Sequence, residues 1–188
     1  MLADGSLERG KPTHNTRLRI DHTYPEQESY VLSIRTLFAP LITNEPVIMV
    51  RKADPRTGKV YKSIYVRTLR FTCLNKYHDL FYKDKKKIVP LNIQDLLTPI
   101  GLAHLLVGDG YFHNGVIFIC SESFTKEEQE LLIAALYSKF NIKATLNKRI
   151  LSSGIENFII RISKKSMDKL ITLVRPYFIS EMLYKLGV

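Results

Sequence analysis

Two aspartates, each followed at once by glycine, are the residues best suited to chemistry in this chain: Asp4 in "MLADGSL" and Asp109 in "LTPIGLAHLLVGDGYF". The second ends an apolar run that reads as a helix, with Thr98 as N-cap, Pro99 in the first turn and Gly110 at the C-cap. A carboxylate at that end meets the negative pole of the helix dipole, at a cost of about 0.3–1 kcal/mol when exposed. A divalent cation held through oxygen ligands would offset that cost. Two carboxylates with divalent ions suit in-line displacement at phosphorus, with one ion activating water and another stabilising the leaving oxygen. The plainer alternative for each aspartate is an Asp-Gly turn with a hydrated or Asx-bonded carboxylate.

The rest of the composition suits a polyanionic partner. The 188 residues carry 28 Lys and Arg against 18 Asp and Glu, a formal charge of +10. Nucleic acid is the first expectation and an anionic membrane the second. No helical stretch joins a basic face to a broad apolar one, which disfavours the membrane. Residues 1–20 hold no long apolar core, and no apolar run reaches the roughly 18 residues that a bilayer span requires. Cys73 and Cys120 lack a CxxC partner and lie in apolar sequence, so both are expected to be buried thiols in a reducing compartment. His14, His22, His78 and His113 have no metal-ligand spacing, and His104 is expected to be structural.

Periodicity gives the elements that must position the aspartates. A strand is expected over Thr16–His22 and a helix over Tyr24–Phe38 with Tyr30, Ile34, Leu37 and Phe38 inside. A hairpin with its turn at Asp54–Gly58 follows, then a short helix over Asn75–Lys83 and a basic linker. The order then repeats: the apolar helix to Asp109, a strand over Gly115–Ser121, and a helix opened by a capping box of Thr125 and Glu128 with Leu132, Ala135, Leu136 and Phe140 inside. Strands over 142–150 and 157–163, joined by a loop at Ser152–Gly154, and a long helix over 165–178 complete it. Two matching "DG" sites in a repeated order point to an internal duplication.

The stretch "LAHLLVGDG", Leu102 to Gly110, resembles the nine-residue signature of the LAGLIDADG homing endonucleases, with Leu102, Ala103, Leu105, Asp109 and Gly110 identical. Its setting, from "KKKIVP" through "SESFTKEEQELL" and "KFNIKATL" to "VRPYFISEMLYKL", resembles the second half of the single-chain, two-motif, organellar intron-encoded subfamily. The likeness extends back through "RFTCLNKYHDLFYK" to "MLADGSL". It implies an α+β fold of two pseudo-symmetric αββαββα halves, with saddle-shaped antiparallel sheets packed on paired signature helices. Residues 1–83 would form the N-terminal half, 84–97 a basic linker and 98–188 the C-terminal half. The first signature helix is largely missing, since Met1 stands three residues before Asp4; truncation, a start inside a longer product, and decay of the first half are the readings this leaves.

The resemblance implies a site-specific double-strand DNA endonuclease that hydrolyses phosphodiester bonds with Mg²⁺ or Mn²⁺. Asp4 and Asp109 would bind the metals, and Lys87 and Lys185 would stand near the cleaved phosphates. Gly108 and its counterpart Ala3 would let two helix backbones approach. The partner would be a long duplex recognition site, the state a monomer, and the setting an organelle, mitochondrion before chloroplast. The alternative is a non-catalytic scaffold that binds intron or ribosomal RNA. Readout is expected from strand side chains: Arg17, Arg19, Arg51, Lys59, Lys62, Arg67 and Arg70 in the first half, and Lys143, Asn147, Lys148, Arg149 and Arg161 in the second, about half of them touching nucleic acid. Phosphate contacts would make affinity fall steeply with salt.

Overall fold

The computed structural model describes residues 1–150 and 156–188. The chain divides into two compact units, Met1 with Ala3–Leu80 and Leu2 with Phe81–Val188. In the first, β1 (Gly5–Glu8), β2 (Arg17–Thr23), α1 (Glu28–Leu37), β3 (Val47–Val50), β4 (Lys62–Arg67) and α2 (Asn75–Phe81) follow in order. The second begins with a small hairpin, β5 (Tyr82–Lys83) and β6 (Lys86–Lys87), and one turn of helix, α3 (Ile93–Leu96). Then come α4 (Pro99–Asp109), β7 (Gly110–His113), β8 (Val116–Ile119), α5 (Lys126–Phe140), β9 (Ala144–Ile150), β10 (Glu156–Ile162) and α6 (Met167–Val174). From α4 onward the order is αββαββα, and the fold class is α+β as expected.

Both large sheets are antiparallel with the same order, β1-β2-β4-β3 and β7-β8-β10-β9. Each "DG" opens its sheet at the same register, Gly5 opposite Ile20 and Gly110 opposite Ile119. One face of each sheet is covered by a helix. In the first unit α1 packs on β2 and β4, burying Leu18, Ile20, Ile64 and Val66 beside its own Tyr30, Val31 and Ile34. In the second α5 packs on β9 and β10, and Ile117, Ile119, Leu132, Leu136, Ile160 and Ile162 are almost wholly buried. Strand alternation leaves the opposite face of each sheet uncovered by these helices.

Several expectations hold closely. Thr125 accepts from the Glu128 N–H and the Glu128 carboxylate accepts from the Thr125 N–H, which completes the capping box. Thr98 caps α4 through the Gly101 N–H, with Pro99 in the first turn. At the tip of the β3–β4 arm, Asp54 Oδ1 accepts from the Arg56 and Thr57 N–H groups, and Gly58 takes the left-handed conformation at φ 68°.

Other expectations need correction. Helix α1 starts at Glu28 rather than Tyr24, because Tyr24–Gln27 form a turn, and Leu37 is exposed while Val31 is buried. The last helix runs only from Met167 to Val174. Pro176 lies just beyond it in a 3-10 turn, and proline has no N–H to continue an α-helix. Cys73 is exposed and Cys120 half-buried, so neither is a fully buried thiol. The segment read as a linker, 84–97, holds β6 and α3, with Val89, Ile93 and Leu97 buried. Strands β1 and β7 show no apolar alternation, since β1 holds one aliphatic residue, Leu7, and β7 holds none. Asn114-Gly115, both at positive φ between β7 and β8, is a hairpin turn signal that marks the second of them. The loop expected at Ser152–Gly154 lies outside the described residues.

Candidate active site and nucleic-acid face

Asp4 stands immediately before β1. Its Oδ2 lies 3.6 Å from His22 Nε2, with the aspartate side chain 36% exposed and the imidazole 5%. The Tyr30 ring meets His22 edge-on, at 4.9 Å between centroids and 89° between planes. Burial, reinforced by the Asp4 charge, raises the Tyr30 phenol well above its ordinary pKa. Metal-ligand spacing in the sequence gives His22 no role. The available signal was alternation, which puts His22 on the buried face of β2 with Leu18 and Ile20.

Asp109 is the last residue of α4. Its carbonyl accepts from the Cys120 N–H at 2.8 Å, and the Gly110 N–H closes the helix on Leu106 O. Gly110 is the C-cap as expected, although its φ of −84° is not the left-handed value that glycine caps often take. Glycine is required there for space instead: a Cβ would lie 2.4 Å from the Leu106 carbonyl oxygen. The helix end is not left to its own dipole. The Lys185 ammonium donates to Val107 O and, at 3.2 Å, to Gly108 O. That cation compensates the pole beside which Asp109 sits, so the dipole argument alone does not require a metal. Lys185 reaches it from the 3-10 segment Ser180–Leu186, which packs on β7. Lys87 ends β6, half-buried, after a tight turn with Asp84 and Lys85 at positive φ.

Beside Asp109 the Cys120 thiol is pushed up, first by burial and then by the Glu122 and Asp109 carboxylates, while Arg149 and Lys185 oppose the rise. Behind it, buried Gln129 of α5 donates to Ser121 O at 2.7 Å and to Phe158 O at 2.9 Å. This bridge was also missed, although Gln129 falls on the stripe of Leu132 and Leu136. Among the described residues no group of three His, Cys, Asp or Glu side chains could hold a metal ion unaided. One hard carboxylate per half is a donor set that fits Mg²⁺ when substrate phosphates and water supply the remaining ligands.

Register sorts the expected nucleic-acid residues by face. Ser6, Arg19 and Arg67 line up across the first sheet, and Glu8 lies opposite Arg17 on the same face. Asp21, Tyr65 and Val47 form the next row. Lys62 falls on the other, helix-side face with Ile64. In the second sheet Tyr111, Phe118, Arg161 and Thr145 form one row, with Asn147 and Arg149 on that face and Lys148 on the opposite one. Tyr111 and Phe118 stack at 5.3 Å.

Several of these cations already have partners. Arg17 and Arg19 pair with Glu8, and Arg19 also with Asp21. Arg70 donates to Glu8 O and Asn15 O, Arg149 pairs with Glu122, and Lys148 pairs with Glu156. Arg51 continues the β3–β4 arm through its N–H to Tyr61 O. Lys59 is exposed near the arm's tip, and exposed Lys143 precedes β9.

A repeated fold in which each half sets an aspartate at the head of a hairpin agrees with comparison to known proteins. The model of the LAGLIDADG DNA endonuclease family matches residues 1–170. The chain belongs to this family. Over its full length it is 30% identical to a cytochrome b mRNA maturase, bI2, of Debaryomyces hansenii, and covers 70% of that protein. It is also 30% identical to the bI2 maturase of Saccharomyces cerevisiae, of which it spans only 45%. The DNA endonuclease I-ChuI of Chlamydomonas applanata is 28% identical over the whole chain and is 90% covered. The solved structure of the homing endonuclease I-WcaI bound to its DNA recognition sequence superposes with a TM-score of 0.86 at 25% identity, over 98% of this chain and 81% of that one.

Proposed function

We propose that the chain is a site-specific, divalent-metal-dependent double-strand DNA endonuclease. The observation that carries this reading is the equivalent placement of Asp4 and Asp109, each at the head of a hairpin whose sheet bears arginines on the face its helix leaves uncovered. In this reading Asp4 and Asp109 hold Mg²⁺ or Mn²⁺, which supply Lewis-acid stabilisation of charge at the phosphate and an activated water. Lys185 holds the end of α4, and with it Asp109, in place. Lys87 sits at a hairpin where its ammonium would stabilise developing phosphate charge. Arginines on the two sheets supply base and phosphate contacts, with affinity that falls steeply with salt. We assign the protein to an organelle, mitochondrion first, and to a monomeric state.

The test is incubation of the chain with a randomised duplex DNA pool, with and without Mg²⁺. Metal-dependent cleavage at an enriched sequence is expected. The maturase relatives favour one rival, an RNA-binding role without cleavage. Silence on DNA together with tight, selective binding of intron RNA would establish that rival instead.

A further inference from the structure

The arginines of the first sheet are not equivalent. Arg19, on the central strand β2, is held on three sides. Its Nη2 donates to Asp21 Oδ2 at 2.6 Å, its Nη1 lies 3.8 Å from Glu8 Oε1, and its guanidinium sits 4.0 Å above the centre of the Tyr65 ring. Tyr65 is itself only 8% exposed, so the platform cannot swing away. Glu8 is in turn fixed by Arg17 at 2.6 Å. Arg67, in the same row, is 5.8 Å from the same ring and pairs with no carboxylate among the described residues.

We propose that Glu8, Asp21 and Tyr65 preset Arg19 as a guanine reader, and that this cradle concentrates base discrimination of the first half at one base pair. The inference rests on the DNA-binding reading above. An unrestrained arginine on a strand binds phosphate wherever it meets it, because the attraction is between full charges. Two neighbouring carboxylates cancel much of that charge, so a phosphate gains little from Arg19 and is repelled by Asp21 and Glu8. Guanine O6 and N7 are neutral acceptors that need geometry rather than charge. The planar fork keeps donors beyond the one given to Asp21, and the cradle removes in advance the rotamer freedom that a bidentate contact would cost. Arg67, which lacks that restraint, is assigned to phosphate.

The experiment is rounds of binding selection on a randomised duplex DNA pool, with sequencing of the bound fraction, for the wild type and for R19K, D21N, E8Q, Y65L and Y65F. The wild type should prefer guanine at one pair by roughly 5- to 150-fold, the range of a good bidentate contact. R19K, D21N and Y65L should flatten preference at that pair alone, E8Q should do so less, and Y65F, which keeps the ring, should restore it. R67M, which removes the charge, should weaken binding alike at all positions. Profiles for D21N, E8Q and Y65L that match the wild type, or that lose preference equally at every position, overturn the cradle. A wild-type chain that enriches no sequence overturns the DNA-binding reading first, and this inference falls with it.

Discussion

In the first half Asp4 is backed by a buried imidazole with a tyrosine edge behind it; in the second, the end of the helix that carries Asp109 is held by the Lys185 ammonium. The strand registers make these positions comparable. Gly5 pairs with Ile20 and Gly110 with Ile119; two residues past those partners stand His22 and Ser121, and eight residues further along stand Tyr30 of α1 and Gln129 of α5. A T-shaped aromatic pair in one half is replaced in the other by an amide that bridges two carbonyls. The hairpin decides where the aspartate goes. What stands behind it is buried in both halves but differs in kind.

The largest expected contrast concerns the two glycines. Gly110→Ala puts a Cβ against the Leu106 carbonyl at 2.4 Å, whereas the same change at Gly5 meets nothing nearer than 3.6 Å. Urea titration should show a loss of about 1–3 kcal/mol for the first, as overpacking costs, and near neutrality for the second. Equal losses would mean that the two hairpin heads are alike after all.

Gln129→Leu should come next. It removes the donor from Ser121 O and Phe158 O within a buried site, a cost of about 1–3 kcal/mol in the same titration. An unchanged midpoint would show that the bridge is not what joins α5 to β8 and β10.

Lys185→Met should cost less, about 0.3–2 kcal/mol, as a cation lost from a partly buried helix C-terminus. It carries a second readout. Lys185 is one of two cations that hold the Cys120 thiol down, so in a Cys73→Ser background the thiol should titrate still higher by alkylation rate. A thiol that does not move would place Lys185 away from the end of α4.

The smallest effect is a pH dependence. Burial lowers His104 below its ordinary 6.5, so the unfolded chain binds this proton more readily than the folded one. The associated stability is complete above about pH 6.5 and is lost as pH falls toward the lower folded value. His104→Gln should therefore reduce the loss of stability on going from pH 7.5 to pH 5. A parallel pair of curves would remove His104 from that limb.

How much of this was legible in the sequence follows the physics of each signal. The capping box at Thr125 and Glu128, the Thr98 cap and the Asp54–Gly58 turn involve neighbours within a few residues, and all three stand as read. Strands β1 and β7, with one aliphatic residue between them, give alternation nothing to show. The dipole argument at Asp109 identified a real electrostatic need, but the residue that meets it, Lys185, lies 76 positions away in sequence and only folding brings it there. The list of basic strand residues could not separate Lys62 and Lys148 from the outward rows, because that depends on the register of each sheet. Nor does it show that Glu8 and Asp21 occupy the arginines beside them, which depends on the face of the sheet each side chain takes.

The central claim is that Asp4 and Asp109 each serve cleavage, although they are supported so differently. It is tested most directly on a supercoiled plasmid carrying the selected site, cut in Mg²⁺ by the wild type, Asp4→Asn and Asp109→Asn. The account predicts linear product from the wild type and none from either variant, each amide removing a hard carboxylate that its half cannot replace. Linearisation by either variant at the wild-type rate would contradict it.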